Sequence, residues 1–231
     1  MSDNHQELKA LKEQIKKFIK QDTPEIFALT GTWGVGKTFA LKNVIDEFKK
    51  ENDTKKYLDD YAYVSLFGLK EIKDIESKIV VSLTKEEIND LSQKQTSKKQ
   101  SICESIEYYF KKSLKWIKNF IIYIKNFIKS FSDTHFNKIR FFTGLAELIF
   151  INRMIKNKII CFDDFERTSI DTQELLGFLQ DLKEERNCKI ILIYNQEKLD
   201  NRKKDFDRYR EKVIDKHFDY RTHLRINCVK I

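Results

Sequence analysis

The stretch Gly31-Thr32-Trp33-Gly34-Val35-Gly36-Lys37-Thr38 limits what this chain can fold into more than any other. It matches G-x-x-x-x-G-K-[ST], the pattern of a phosphate-binding loop. Of the six glycines in 231 residues, Gly31, Gly34 and Gly36 fall inside these eight positions. Glycine accepts positive φ and lets backbone approach a ligand closely, so successive N–H groups can converge on a phosphate. Lys37 would reach the β- and γ-phosphates, and the Thr38 hydroxyl would bind Mg²⁺. The flanks fit this use. Ile26 to Thr30 is a short apolar run that reads as a buried strand, and Leu41, Val44, Ile45 and Phe48 recur at helical spacing after the loop. That order sets a helix N-terminus, with its dipole, at the phosphate. Gly31 through Phe39 are therefore the candidate nucleotide-binding residues: Gly31, Thr32, Trp33, Gly34, Val35, Gly36, Lys37, Thr38 and Phe39.

A second motif depends on the first for its meaning. Lys158-Ile159-Ile160-Cys161-Phe162-Asp163-Asp164-Phe165-Glu166-Arg167 is an apolar strand that ends in two carboxylates. A buried strand of this kind delivers an acid to Mg²⁺ at the carboxyl edge of a sheet. Asp163 would hold the metal together with Thr38, and Asp164 would orient or deprotonate the attacking water. Asp171 then reads as a helix cap with Glu174 three residues later. Lys189 to Asn195 reads as another buried strand. Asn195 has two readings, a contact to the γ-phosphate or water and a simple strand-end turn residue. Lys37, Asp164 and Asn195 are the candidate catalytic residues. The acids are not followed by D-x-x-G spacing, and Asn195-Gln196-Glu197-Lys198 is not the N-K-x-D base reader, so a GTPase is disfavoured. The adjacent carboxylates and the long spacing between the two motifs argue against a small-molecule kinase.

The remaining segments bound the organisation. Leu8, Leu11, Ile15, Phe18 and Ile19 share one face of a leading helix. Lys49 to Asp60 reads as a solvated loop, Tyr61 to Gly68 as a second core strand, and Ile72, Ile75, Ile79 and Val80 as a helix. Residues 84–101 read as a linker. The sequence from Gln196 to Lys216 is helix-like, and Thr222 to Val229 alternates like a last strand. The net charge of +8 favours an anionic partner. Residues 102–158 carry eleven Lys/Arg against four Asp/Glu, net +7. There an apolar stripe from Phe110 to Phe131 runs among lysines. Three readings stay open: a helix packed on the domain, an amphipathic helix on an anionic membrane, and, least favoured, a single-stranded nucleic-acid surface. The apolar stretch Phe141 to Ile151 is too short to span a bilayer, and no run of eighteen apolar residues occurs. Cys103, Cys161, Cys188 and Cys228 stand far apart and read as reduced thiols rather than a zinc site or disulfides. With a polar, acidic N-terminus unlike a signal peptide, the expected location is the cytoplasm, with peripheral contact at the membrane's inner face through 102–158.

With both motifs placed, the chain resembles the KAP family of P-loop NTPases. The likeness rests on Gly31 to Thr38 with Trp33 inside the loop, on Phe162-Asp163-Asp164-Phe165-Glu166-Arg167, and on Tyr63-Val64-Ser65-Leu66-Phe67-Gly68. The resemblance implies an α/β core with a parallel sheet of the additional-strand type, one strand lying between those that carry the two motifs. It implies ATP rather than GTP, with Mg²⁺ as cofactor, and Arg167 as an acid–Arg element at a subunit interface. Several bacterial relatives are implicated in defence against phage. Glu166 stands where the family usually has Asp, and relatives continue beyond the fifth strand into a helical lid. The expected organisation is a core in two halves, 1–83 and 158–231, around an inserted helical segment, 84–157. The expected function is an ATPase, slow or partner-dependent, that drives a conformational or assembly switch with a protein partner or a second copy. The alternative is a nucleotide-binding scaffold that recruits a partner or membrane through its basic insertion.

Overall fold

The computed structural model describes residues 2–94, 149 and 151–221. The stripe from Phe110 to Phe131, the linker residues after Lys94, the alternating segment from Thr222 to Val229, and Cys103 and Cys228 lie outside them, as does most of Phe141 to Ile151. The chain divides into two units, Met1–Ile79 with Ile155–Ile231, and Val80–Met154. All five strands belong to the first: β1 (Ile26–Thr30), β2 (Tyr61–Ser65), β3 (Ile159–Asp163), β4 (Lys189–Ile193) and β5 (Lys216–Asp219). They pair in parallel in the order β2-β3-β4-β1-β5. β4 therefore lies between β1, which leads into the glycine loop, and β3, which ends in the two acids. This is the additional-strand arrangement, and it sets both motifs at the carboxyl edge where open α/β sheets bind ligands.

β1, β3 and β4 are predominantly apolar because both faces of the sheet are covered there. Every residue of β1 and β3 is buried. Phe27 and Leu29 of β1, Cys161 of β3, and Ile191 and Ile193 of β4 join one core cluster with the helices α1 (Ser2–Lys20), α2 (Lys37–Lys50) and α3 (Asn52–Leu58). Residues of the opposite parity, such as Ala28, Phe162 and Leu192, are equally buried and face the other way, since successive side chains alternate across a strand. α1 inserts Leu11, Ile15, Phe18 and Ile19, all at 0% exposure, and the Phe18 ring lies 5.6 Å from that of Phe27. Each such side chain contributes roughly 1.5–3 kcal/mol on burial. On the outer side of α1, Lys12, Lys16 and Lys20 pair with Glu47, Glu51 and Asp53. Exposed pairs like these are screened by solvent and add little to stability.

Three sequence expectations are corrected. Lys49 to Asp60 is not a loop. Glu51 is extended (φ −80°, ψ 125°) and breaks the helical run, after which α3 buries Thr54 and Leu58 at i, i+4. Residues 84–94 are not linker, because α4 (Ile72–Lys94) runs through them; the segment is polar but contains no glycine or proline to stop a helix. The strand after α6 (Lys203–Val213) is β5 at Lys216–Asp219, where helix-like sequence was expected to continue to Lys216. β5 is a four-residue edge strand with alternating half-burial, so it lacks the apolar run that marks its neighbours.

The expected cap on α5 (Thr172–Glu184) is present. Asp171 Oδ1 accepts from the N–H groups of Gln173 (2.9 Å) and Glu174 (3.0 Å). Asp171→Ala should cost about 1 kcal/mol, which lowers the melting temperature by roughly 2–4 °C in a chain of this size. A calorimetric melt checks this, and an unchanged midpoint would remove the cap from the stability of α5.

Candidate functional site

The glycine loop takes the backbone its composition demands. Gly31 (φ 146°), Gly34 (φ 75°) and Gly36 (φ 89°) are all at positive φ. At Gly31 the requirement is doubled, since a Cβ there would lie 2.3 Å from the Tyr220 carbonyl oxygen. Gly36 is the left-handed cap of α2, with no side-chain hydrogen bond, so the first N–H groups of that helix are turned toward the loop. Lys37 donates to the carbonyls of Gly31 (2.8 Å) and Thr32 (3.1 Å). Val35 packs on the core. The side chains of Trp33 and Phe39 are 69% and 70% exposed, and they line a cleft of about 280 Å³ with Lys37, Thr38, Asp163 and Asn195.

The two acids after β3 have separate surroundings. Asp163 is 5% exposed. Its Oδ2 accepts from the Thr38 hydroxyl (2.7 Å) and the Tyr63 hydroxyl (2.7 Å), and its Oδ1 accepts from the Asp164 N–H (2.8 Å). Burial, and then the bond to Asp163, push the Tyr63 phenol up, so it stays protonated and remains a donor. Asp164 is left-handed, φ 60°, a conformation Asp tolerates better than most residues. Its Oδ2 accepts from the Ser65 hydroxyl (2.8 Å) and its Oδ1 lies 3.6 Å from Arg167 Nε. The reversal at Asp164 leads into a 3₁₀ turn, Phe165–Arg167, anchored by the fully buried Phe165 against Tyr194 and Phe206. Arg167 lies over the rings of Trp33 (5.1 Å) and Phe67 (5.8 Å).

The same turn brings Glu166 into the cleft, a residue to which the sequence reading gave no role. Glu166 Oε2 accepts from the Asn195 N–H at 3.2 Å. The two readings of Asn195 fall on different atoms. Its Oδ1 does the work of a turn residue, accepting from the Glu197 N–H (3.0 Å), and this fixes the orientation of the amide. Its Nδ2 is buried, in a residue 2% exposed, with no hydrogen-bond partner among the described residues. A buried donor left unpaired costs about 1–3 kcal/mol. Burial also lowers the Lys37 ammonium from its ordinary range, opposed by the negative charges of Glu166, Asp163, Asp219 and Glu197, with Glu166 the strongest. The cleft thus brings together two cations, Lys37 and Arg167, the buried carboxylate of Asp163 bonded to two hydroxyls, and two further carboxylates, Asp164 and Glu166. It also holds Asn195, whose buried amide donor lacks an acceptor among the described residues. Among the described residues, no group of three or more His, Cys, Asp or Glu is placed to hold a metal ion, and no helix is long and apolar enough to cross a membrane. Cys161 and Cys188 are free and buried.

A family model described as the KAP family P-loop domain matches residues 8–228. No curated protein matches the chain. Among solved structures the chain is similar to the ORC2 protein of Aeropyrum pernix, determined in ADPNP-ADP complexes. The identity is 12% and the TM-score 0.49, over 95% of this chain and 48% of that one. The chain therefore spans about half the length of that protein.

The Tyr63 hydroxyl is a site contact that can be deleted with little change of shape. Tyr63→Phe should cost about 1.5–3 kcal/mol, the range for a hydrogen bond to a charged group. Denaturant midpoints measured at unchanged slope give the difference. A midpoint equal to wild type would mean that Thr38 and the Asp164 N–H satisfy Asp163 without it.

Proposed function

The chain belongs to the KAP family of P-loop domains, and from that premise we propose that it binds Mg·ATP in the cleft beside α2 and hydrolyses it to drive a conformational or assembly switch. The unpaired Asn195 Nδ2 carries this reading. Asn195 lines the same cleft as the glycine loop, and its Nδ2 is a closed-off donor without a partner among the described residues. A shift that opens it to the γ-phosphate or the attacking water would supply the acceptor it needs.

The other roles follow from chemistry already described. Loop N–H groups from Gly31 to Thr38 cradle the phosphates, and the dipole of α2 favours their charge. Lys37 exchanges the carbonyls of Gly31 and Thr32 for β- and γ-phosphate oxygens. Thr38 Oγ1 and Asp163, 2.7 Å apart in hydrogen bond, are hard oxygen ligands. They fit Mg²⁺, which takes one or two protein oxygens and completes its shell with phosphate and water. When bound, Mg²⁺ neutralises charge that develops on the phosphate oxygens. Trp33 and Phe39 are exposed beside this path and wall the cleft. We also read residues 84–157 as an insertion that separates the core halves 1–83 and 158–231, with a protein partner, a second copy or an anionic membrane surface as its counterpart. The division of the chain near Val80 and Met154 supports that reading.

Calorimetric binding of Mg·ATP and single-turnover phosphate release, for wild type beside Lys37→Ala, test the proposal. Loss of a charge-assisted contact worth about 1.5–3 kcal/mol should weaken binding roughly 10–100-fold, and phosphate release should disappear. Binding by wild type without release would favour the nucleotide-binding scaffold. Equal binding by both proteins would refute the site.

A further inference from the structure

Two carboxylates after β3 lie at the cleft, and their surroundings differ in a way that assigns them different work. Asp164 is committed on both oxygens, one to the Ser65 hydroxyl and the other toward Arg167. That arginine lies over the rings of Trp33 and Phe67. Glu166 is held on one oxygen only, Oε2, by the Asn195 N–H, so Oε1 is the oxygen left to accept. The residue that holds Glu166 also owns the unpaired Nδ2. A carboxylate that lines the cleft with one oxygen left to accept is what an attacking water needs for orientation and proton removal. Lys37, the group that meets the β- and γ-phosphates, lines the same cleft as Glu166.

We propose that Glu166, positioned by Asn195, is the carboxylate that takes the proton from the attacking water, and that Asp164 is a positioning residue for Arg167. This rests on the ATPase reading above. In the step, the water oxygen bonds to the γ-phosphorus and the bond from that phosphorus to the β,γ-bridging oxygen breaks. ADP leaves with the electron pair on its terminal oxygen, and the water proton passes to Glu166. No oxidant or further reactant is needed. The backbone explains the choice: the left-handed Asp164 turns its own carboxylate back to β2, and the buried Phe165 fixes the turn so that the next residue enters the cleft.

The test compares Glu166→Gln and Asp164→Asn in the full chain, with three readouts. These are the Kd for Mg·ATP, single-turnover phosphate release, and retention of the ADP–aluminium fluoride complex that mimics the reacting phosphate. Glu166→Gln should bind Mg·ATP within about threefold of wild type, release phosphate about 100-fold or more slowly, and lose the fluoride complex; general-base contributions run about 10²–10⁴-fold. Asp164→Asn should slow release less than Glu166→Gln. In a Trp116→Phe background it should also shift the emission of Trp33 as Arg167 moves. Should Glu166→Gln fail to fold, Glu166→Ala, which removes the carboxylate altogether, carries the same expectation. Wild-type release from Glu166→Gln, or a larger loss in Asp164→Asn with Trp33 emission unmoved, overturns the assignment and leaves the ATPase standing. A wild-type protein that binds Mg·ATP but neither releases phosphate nor forms the fluoride complex overturns both.

Discussion

The carboxylate of Asp163 joins three parts of the chain that are far apart in sequence. It receives the Thr38 hydroxyl from the first turn of α2, the Tyr63 hydroxyl from β2, and the N–H of its own successor at the end of β3. A buried carboxylate is expensive unless donors replace its water, and here three donors do so. Because those donors come from the glycine-loop helix and from two strands, the bond set also fixes how the helix N-terminus sits above the sheet. Stability and site geometry therefore share one atom group. Every other site residue is placed relative to that pin.

The sheet order determines what can reach it. With β4 between β1 and β3, Asn195, two residues past the end of β4, is bracketed by the loop after β1 and the turn after β3. Adjacent strands lie about 4.8 Å apart, so a residue just beyond the middle strand reaches either side. The left-handed residue at Asp164 then divides the acids, one sent toward β2 and Ser65, and Glu166 toward β4 and Asn195. Two carboxylates two residues apart are in this way kept from competing for one position.

Much of this could be read from the sequence, for identifiable reasons. The loop was visible because three of six glycines fall in one octet. β1, β3 and β4 were visible because strands buried on both faces are continuous apolar runs. The cap at Asp171 was visible because its side-chain chemistry is local. What escaped depends on tertiary placement. β5 was missed since an edge strand is half-buried and its Lys-His-Phe-Asp sequence has no strand signature. Tyr63 and Ser65 were read as strand residues, but their contacts to Asp163 and Asp164 follow from the register of β2 on β3, where Ser65 pairs with Asp163. Glu166 was visible as part of a motif and silent as to role. Its entry into the cleft needs a positive φ at Asp164, and only the general tolerance of Asp for that conformation hinted at it.

The closeness of Gly31 to the Tyr220 carbonyl has a mechanical meaning. Side chains yield by changing rotamer, whereas two backbones in contact have no such give, and protein interiors compress little. The loop beside β1 and the chain leaving β5 consequently meet at a hard stop, also tied by the Tyr220 N–H to the Thr30 carbonyl at 2.8 Å. A displacement of the loop toward the sheet edge passes to the end of β5 without slack, and the reverse holds equally. In this fold the glycine at the start of the loop acts as a rigid bearing between the nucleotide edge and the chain that follows the last strand.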